Sequence, residues 1–147
     1  AYFGTPAVNL VAALEVSLGQ ILAEGMDNRF RRHRLLSEMC KAAIQALGMD
    51  QVAKPGFGAT TLTAPYYPPG VDASLLPHVT RAGAILAGGL HPEIRTKYFR
   101  IGHMGPTTPA DVVATIGALE QGLAAVGYHF EPGVGVAAAQ GALLDRA

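Results

Sequence analysis

Lys97-Tyr98-Phe99-Arg100-Ile101-Gly102-His103 is the stretch whose reading decides the fold. Its aromatic and β-branched residues Tyr98, Phe99 and Ile101 predict a strand. In a strand, Tyr98, Arg100 and Gly102 share one face, while Phe99, Ile101 and His103 share the other. Just upstream, Ala84-Ile85-Leu86-Ala87 reads as a short buried strand ending at Gly88-Gly89. Just downstream, Thr108-Pro109-Ala110-Asp111 has the form of a capping box. It opens a helix with the stripe Val112, Ile116, Leu119, Leu123, Val126, which Gly127 ends.

Further back, Ala59–Thr63 is β-branched and alternating, hence a strand, broken by Pro65 and by Pro68-Pro69-Gly70. Lys54–Gly58 reads as a turn, and Asp72 or Ser74 caps a short helix to Arg81 with Pro77 in its first turn. At the start of the chain, Thr5 suits an N-cap and Pro6 the first helical position. The apolar stripe Leu10, Leu14, Leu18, Ile21, Leu22 follows, and Gly25 ends that helix. A second helix from about Asp27 carries Met26, Phe30, Leu36, Met39, Ala43, Ile44 and Leu47 toward a core, up to Gly48. The tail from Tyr128 is Gly- and Ala-rich and reads as weakly helical at best. Together these predict an α+β fold, with helices on one face of a short, mostly antiparallel sheet.

The 147 residues suffice for one domain with a sizeable core. Eleven basic and eleven acidic residues cancel, so no global field draws the chain to nucleic acid or anionic lipid. The single cysteine, Cys40, excludes an internal disulfide and reads as a small core residue. No apolar run is long enough for a membrane span, and no leader pattern opens the chain. The expectation is an intracellular, globular piece. Only 15% of residues are charged, against about 25% in an ordinary domain. Such a chain covers part of its surface with something else.

Arg100 is the most informative residue. A guanidinium within so apolar a strand must reach water, as on the solvated face of an edge strand, or be paired. Its planar fork matches a carboxylate or phosphate, and Gly102 and Gly105 leave room for a ligand. Tyr2 and Thr5 form the second candidate. A helix N-terminus favours an anion such as phosphate, and two hydroxyls add donors; alternatively Thr5 merely caps its own helix. The basic run Arg29, Arg31, Arg32, Arg34 reads as a solvated helix face, with Asp27–Arg31 and Arg34–Glu38 spaced for surface pairs. The five histidines show no ligand spacing, Gly88-Gly89 belongs to no phosphate-binding pattern, and none of the three lysines sits where a Schiff base is expected.

Ile85-Leu-Ala-Gly-Gly-Leu-His-Pro-Glu-Ile-Arg-Thr-Lys-Tyr-Phe-Arg-Ile-Gly-His-Met-Gly105 resembles the C-terminal part of the alanine–glyoxylate and serine–glyoxylate aminotransferases, in the class V pyridoxal-phosphate family. The opening Tyr2-x-x-Thr5-Pro6 and Gly25-Met-Asp-Asn-Arg-Phe-Arg-Arg-His-Arg34 resemble the same family in register, so the likeness spans about residues 1–127. It implies the small C-terminal domain of a fold-type-I transferase and a homodimeric enzyme that uses pyridoxal 5'-phosphate. Residues 1–22 would be the helix linking it to a large cofactor domain, 23–127 the small domain and 128–147 a tail. Arg100 would match the arginine that holds the substrate's carboxylate, and Tyr2 and Thr5 the pair that reaches the cofactor phosphate of the partner subunit. The Schiff-base lysine would lie in a preceding large domain, so the chain reads as a fragment, inactive alone, with small amino and keto acids as substrates. Two other readings stay open: a non-catalytic α+β interaction module, and another class V pyridoxal enzyme.

Overall fold

The computed structural model describes residues 3–145, which divide into two compact units, one up to Arg32 and one from His33. Helices α1 (Val8–Glu24) and α2 (Met26–Ala46) meet at Gly25, whose φ of 79° only glycine adopts without strain. All of α1 and the first turns of α2 belong to the first unit. Here Glu24 accepts a two-point contact from Arg32, with Nε at 2.7 Å and Nη2 at 2.9 Å, and a third bond from Arg29 at 2.9 Å. Those guanidiniums, Arg32 foremost, hold the Glu24 carboxyl down to about 2 from the ordinary 4.5. Arg31 bonds Asn28 rather than the Asp27 anticipated from spacing.

Two expectations for this unit are corrected, the start of the first helix and the burial of Met26 and Phe30. The helix starts at Val8, not at Thr5, and Ala7 stands at its N-cap with no side-chain bond. None of the α1 residues is buried: Leu10 is 71%, Leu14 56% and Leu22 78% exposed. Met26 and Phe30, expected in a core, are also exposed, because the buried stripe of α2 begins only at His33 and Leu36.

The second unit packs around one core. It contains the rest of α2 (Leu36, Met39, Cys40, Ala43, Ile44), α3 (Leu75–Arg81) and α4 (Pro109–Ala125). Leu75 and Val79 of α3 meet the predicted α4 stripe, with Val112, Ile116, Leu119 and Leu123 all buried. Each such side chain contributes roughly 1.5–3 kcal/mol. Gly122 sets the α3–α4 distance, since a Cβ there would lie 2.5 Å from a Val79 methyl. Cys40 is buried as expected, which pushes its thiol up to about 12. The Thr108–Asp111 capping box forms, with each side chain bonding the other residue's backbone N–H.

The sheet has order β1-β3-β2, from β1 (Leu62–Thr63), β2 (Ala87–Gly88) and β3 (Phe99–Gly102), and both pairings are antiparallel. Two outer strands are shorter than expected: β1 occupies only the end of Ala59–Thr63, and β2 begins where Ala84–Ala87 ends. The bridge Tyr66↔Tyr98 extends the pairing of β3's edge. The core face carries Phe99 and Ile101, and Phe99 packs on the Tyr67 ring at 5.3 Å between centroids. The tail is a further correction. Residues Val134–Leu144 form α5, an eleven-residue helix packed on α4. Its first N–H groups are satisfied from another element: the Glu120 carboxylate of α4 accepts from Gly133 and Gly135 at 2.8 Å and from Val136 at 3.1 Å.

Candidate functional site

Arg100 sits at the centre of β3, opposite Ala87 of β2, on the face away from the core. The side chain is half-buried. Its Nε donates to the Gly88 carbonyl at 2.8 Å. Among the described residues it forms no ion pair, and its two terminal nitrogens have no hydrogen bond. The guanidinium is therefore neither free in solvent nor locked to an internal carboxylate. It is held at one edge, through Nε, while the terminal nitrogens have no hydrogen-bond partner among the described residues.

Sequence reasoning passed over the residues that build this support. Tyr98, buried two positions before Arg100, accepts N–H bonds on its hydroxyl from Leu90 at 2.8 Å and His91 at 3.1 Å. Those N–H groups, His91 first, lower its hydroxyl pKa, with Arg100 adding its positive charge. Gly89 is where the loop meets the ring. A Cβ there would stand 2.5 Å from Tyr98 Cε1 and 2.6 Å from the Arg95 carbonyl. The Gly88-Gly89 pair thus serves strand and ring packing. The only sequence signal for this was the two-residue spacing of Tyr98 and Arg100.

On the opposite face His103 is buried, with its Nε2 2.9 Å from the Thr63 hydroxyl and its Nδ1 without a partner among the described residues. Burial, with the positive Lys41 and His33 nearby, pulls its pKa down to about 4 from 6.5, so the ring is neutral near pH 7. Open hollows lie in this unit among the described residues. One of about 710 Å³ is lined by Lys41, Asp50, Lys54 and Tyr66. Another, of about 370 Å³, lies between residues 82–86, Gly102 and the start of α4. Arg100 lines neither. Among the described residues no group of three His, Cys, Asp or Glu is placed to hold a metal ion.

Of the other predicted pair, Tyr2 lies outside the described residues. Thr5 belongs to the first unit, is exposed, and makes no hydrogen bond among the described residues. Its hydroxyl is not used to cap α1. Among the described residues no single helix is long and apolar enough to cross a membrane.

No family model matches the chain. Alanine–glyoxylate aminotransferase 1 of Saccharomyces cerevisiae is 42% identical over 112 residues, covering 73% of this chain and 28% of that protein. A serine–glyoxylate aminotransferase of Methylorubrum extorquens is 35% identical over 145 residues, covering 97% of this chain and 36% of its own length. The solved pyridoxamine–pyruvate aminotransferase of Mesorhizobium loti superposes with a TM-score of 0.92 at 32% identity, covering all of this chain and 38% of that one. The chain spans only about a third of the length of the curated relatives it matches. These likenesses and the α+β layout define an aminotransferase fold, in its C-terminal part. The chain belongs to the class V aminotransferases, whose alanine- or serine–glyoxylate and pyridoxamine–pyruvate members are its homologues.

Proposed function

We propose that this chain is the carboxylate-gripping part of an aminotransferase that moves the amino group of alanine, or of serine, to glyoxylate. The observation that carries the reading is Arg100: a half-buried cation in an apolar strand, fixed through Nε and lacking any acidic partner among the described residues. A guanidinium so placed needs an anion, and its free edge matches the two oxygens of a carboxylate. Amino donor and keto acceptor both carry that group, so one clamp serves both halves of the reaction and fixes the α-carbon for stereochemically controlled proton transfer. Bound pyridoxal 5'-phosphate supplies the electron sink for that chemistry.

The remaining assignments follow the same reading. Residues 1–22 connect to a large cofactor domain, 23–127 form the small domain and 128–147 its tail. The exposed Leu10, Leu14, Leu18 and Leu22 of α1 support this, because an apolar stripe that its own unit leaves uncovered calls for a covering surface. Thr5, with a hydroxyl not used for capping, and Tyr2 are assigned to the cofactor phosphate of the partner subunit in a homodimer. The Schiff-base lysine is assigned to the large domain, so this chain alone does not transaminate.

The test is Arg100→Leu in the full-length enzyme. The variant is expected to fold and keep its cofactor, and to lose alanine affinity by about 3 kcal/mol, roughly a hundredfold. Unchanged alanine affinity, measured by titration of the cofactor absorbance, rejects the assignment.

A further inference from the structure

We infer that Tyr98 is a positioning residue for Arg100: its hydroxyl pins the Leu90–His91 backbone and so fixes the Gly88 carbonyl on which the Arg100 Nε rests. The inference depends on the carboxylate reading of Arg100 and adds to it which edge of the guanidinium meets the substrate.

Three contacts form one chain of support. The Tyr98 oxygen takes both the Leu90 and His91 N–H groups, at 2.8 and 3.1 Å. The Tyr98 ring lies so close to Gly89 that any Cβ there would overlap it. Gly88, the next residue back, offers the carbonyl that accepts Arg100 Nε at 2.8 Å. A guanidinium can meet a carboxylate side-on, through Nε and one terminal nitrogen, or end-on, through both terminal nitrogens. With Nε engaged by Gly88, the side-on edge is occupied and the end-on edge is presented. Tyr98 therefore selects a binding geometry without touching the substrate. Remove its hydroxyl and the loop N–H groups lose their acceptor, the Gly88 carbonyl is freed to shift, and the arginine keeps its charge but not its aim. The loss then falls on substrate recognition.

The experiment is Tyr98→Phe in the full-length holoenzyme, measured alone and combined with Arg100→Lys, which keeps the charge and removes the fork. Tyr98→Phe is expected to raise KM for the amino donor about tenfold while kcat stays within about twofold, the pattern of lost ground-state grip. In the Arg100→Lys background the same change is expected to move KM less than about twofold, since there is no fork left to aim. If Tyr98→Phe leaves KM unchanged, or acts as strongly on the lysine variant, the positioning role is overturned. Arg100→Leu separates the two ideas: if it spares alanine affinity the carboxylate reading itself falls, whereas if it abolishes affinity and Tyr98→Phe does nothing, only the present inference falls. Should Tyr98→Phe not fold, Leu90→Pro, which deletes one of the two N–H donors and leaves the ring in place, is read by the same KM and kcat split, with an unchanged KM again overturning it.

Discussion

Helices α1 and α4 are both seventeen residues long, both predominantly apolar, and both striped at helical spacing. Their fates differ. Val112, Ile116, Leu119 and Leu123 of α4 are buried, in a helix capped by a complete box and packed on α3 and α5, whereas the stripe of α1 is exposed and its N-cap residue makes no side-chain bond. Periodicity states that a helix has a face to bury. It does not state whether the same chain supplies what buries it.

The sharpest way to break that comparison is a truncation on each stripe of the chain as it stands. Leu119→Ala leaves a cavity in the core and should destabilise by about 3 kcal/mol in urea unfolding, whereas Leu14→Ala should cost less than about 0.5 kcal/mol. Equal losses would mean that α1 is buried within this chain after all.

A pH titration gives the next contrast. His103 is held neutral, its pKa depressed to about 4 from 6.5. Unfolding lets the ring charge below 6.5, so the contribution is fully present above that pH and is lost as pH falls from 6.5 to 4. The depression corresponds to about 3 kcal/mol as an upper limit. His103→Gln should flatten the stability profile in that window, as followed by circular dichroism at a series of pH values. A profile unchanged by the substitution would assign the acid sensitivity to another group.

The smallest expected effect concerns the helix starts. Thr108→Ala removes a working cap and should cost about 1 kcal/mol. Thr5→Ala removes none and should leave thermal unfolding of the chain unchanged; the proposed phosphate role predicts looser cofactor retention in the full-length enzyme when dialysed against phosphate. A stability loss at Thr5 would instead show that the hydroxyl caps α1.

What was legible in the sequence was local. Thr108-Pro109-Ala110-Asp111 carries its own cap, and the alternation across Phe99–Gly102 sorts its two faces without reference to anything distant. The outer strands were over-read because their length is set by where β3 offers partners: Leu62 and Thr63 find Gly102 and Ile101, and the residues before them fall outside the strand. Met26 and Phe30 continue the spacing of the buried stripe of α2 yet precede the point where that stripe meets a core. Arg100 was legible as an apolar-strand cation needing a partner. Its support was not, since a Gly88 carbonyl and a tyrosine oxygen taking loop N–H groups depend on strand register rather than on residue type.

The Glu120 carboxylate, reaching from α4 to three N–H groups at the start of α5, gives the end of the chain a status its bland composition conceals. The last helix is a buckle closed on its neighbour. Its order is borrowed from α4, and cutting the polypeptide after Tyr128 would strand an anion and unroof Leu47 beneath Gly135. Alterations at this terminus would therefore be felt in the middle of the domain rather than at its edge.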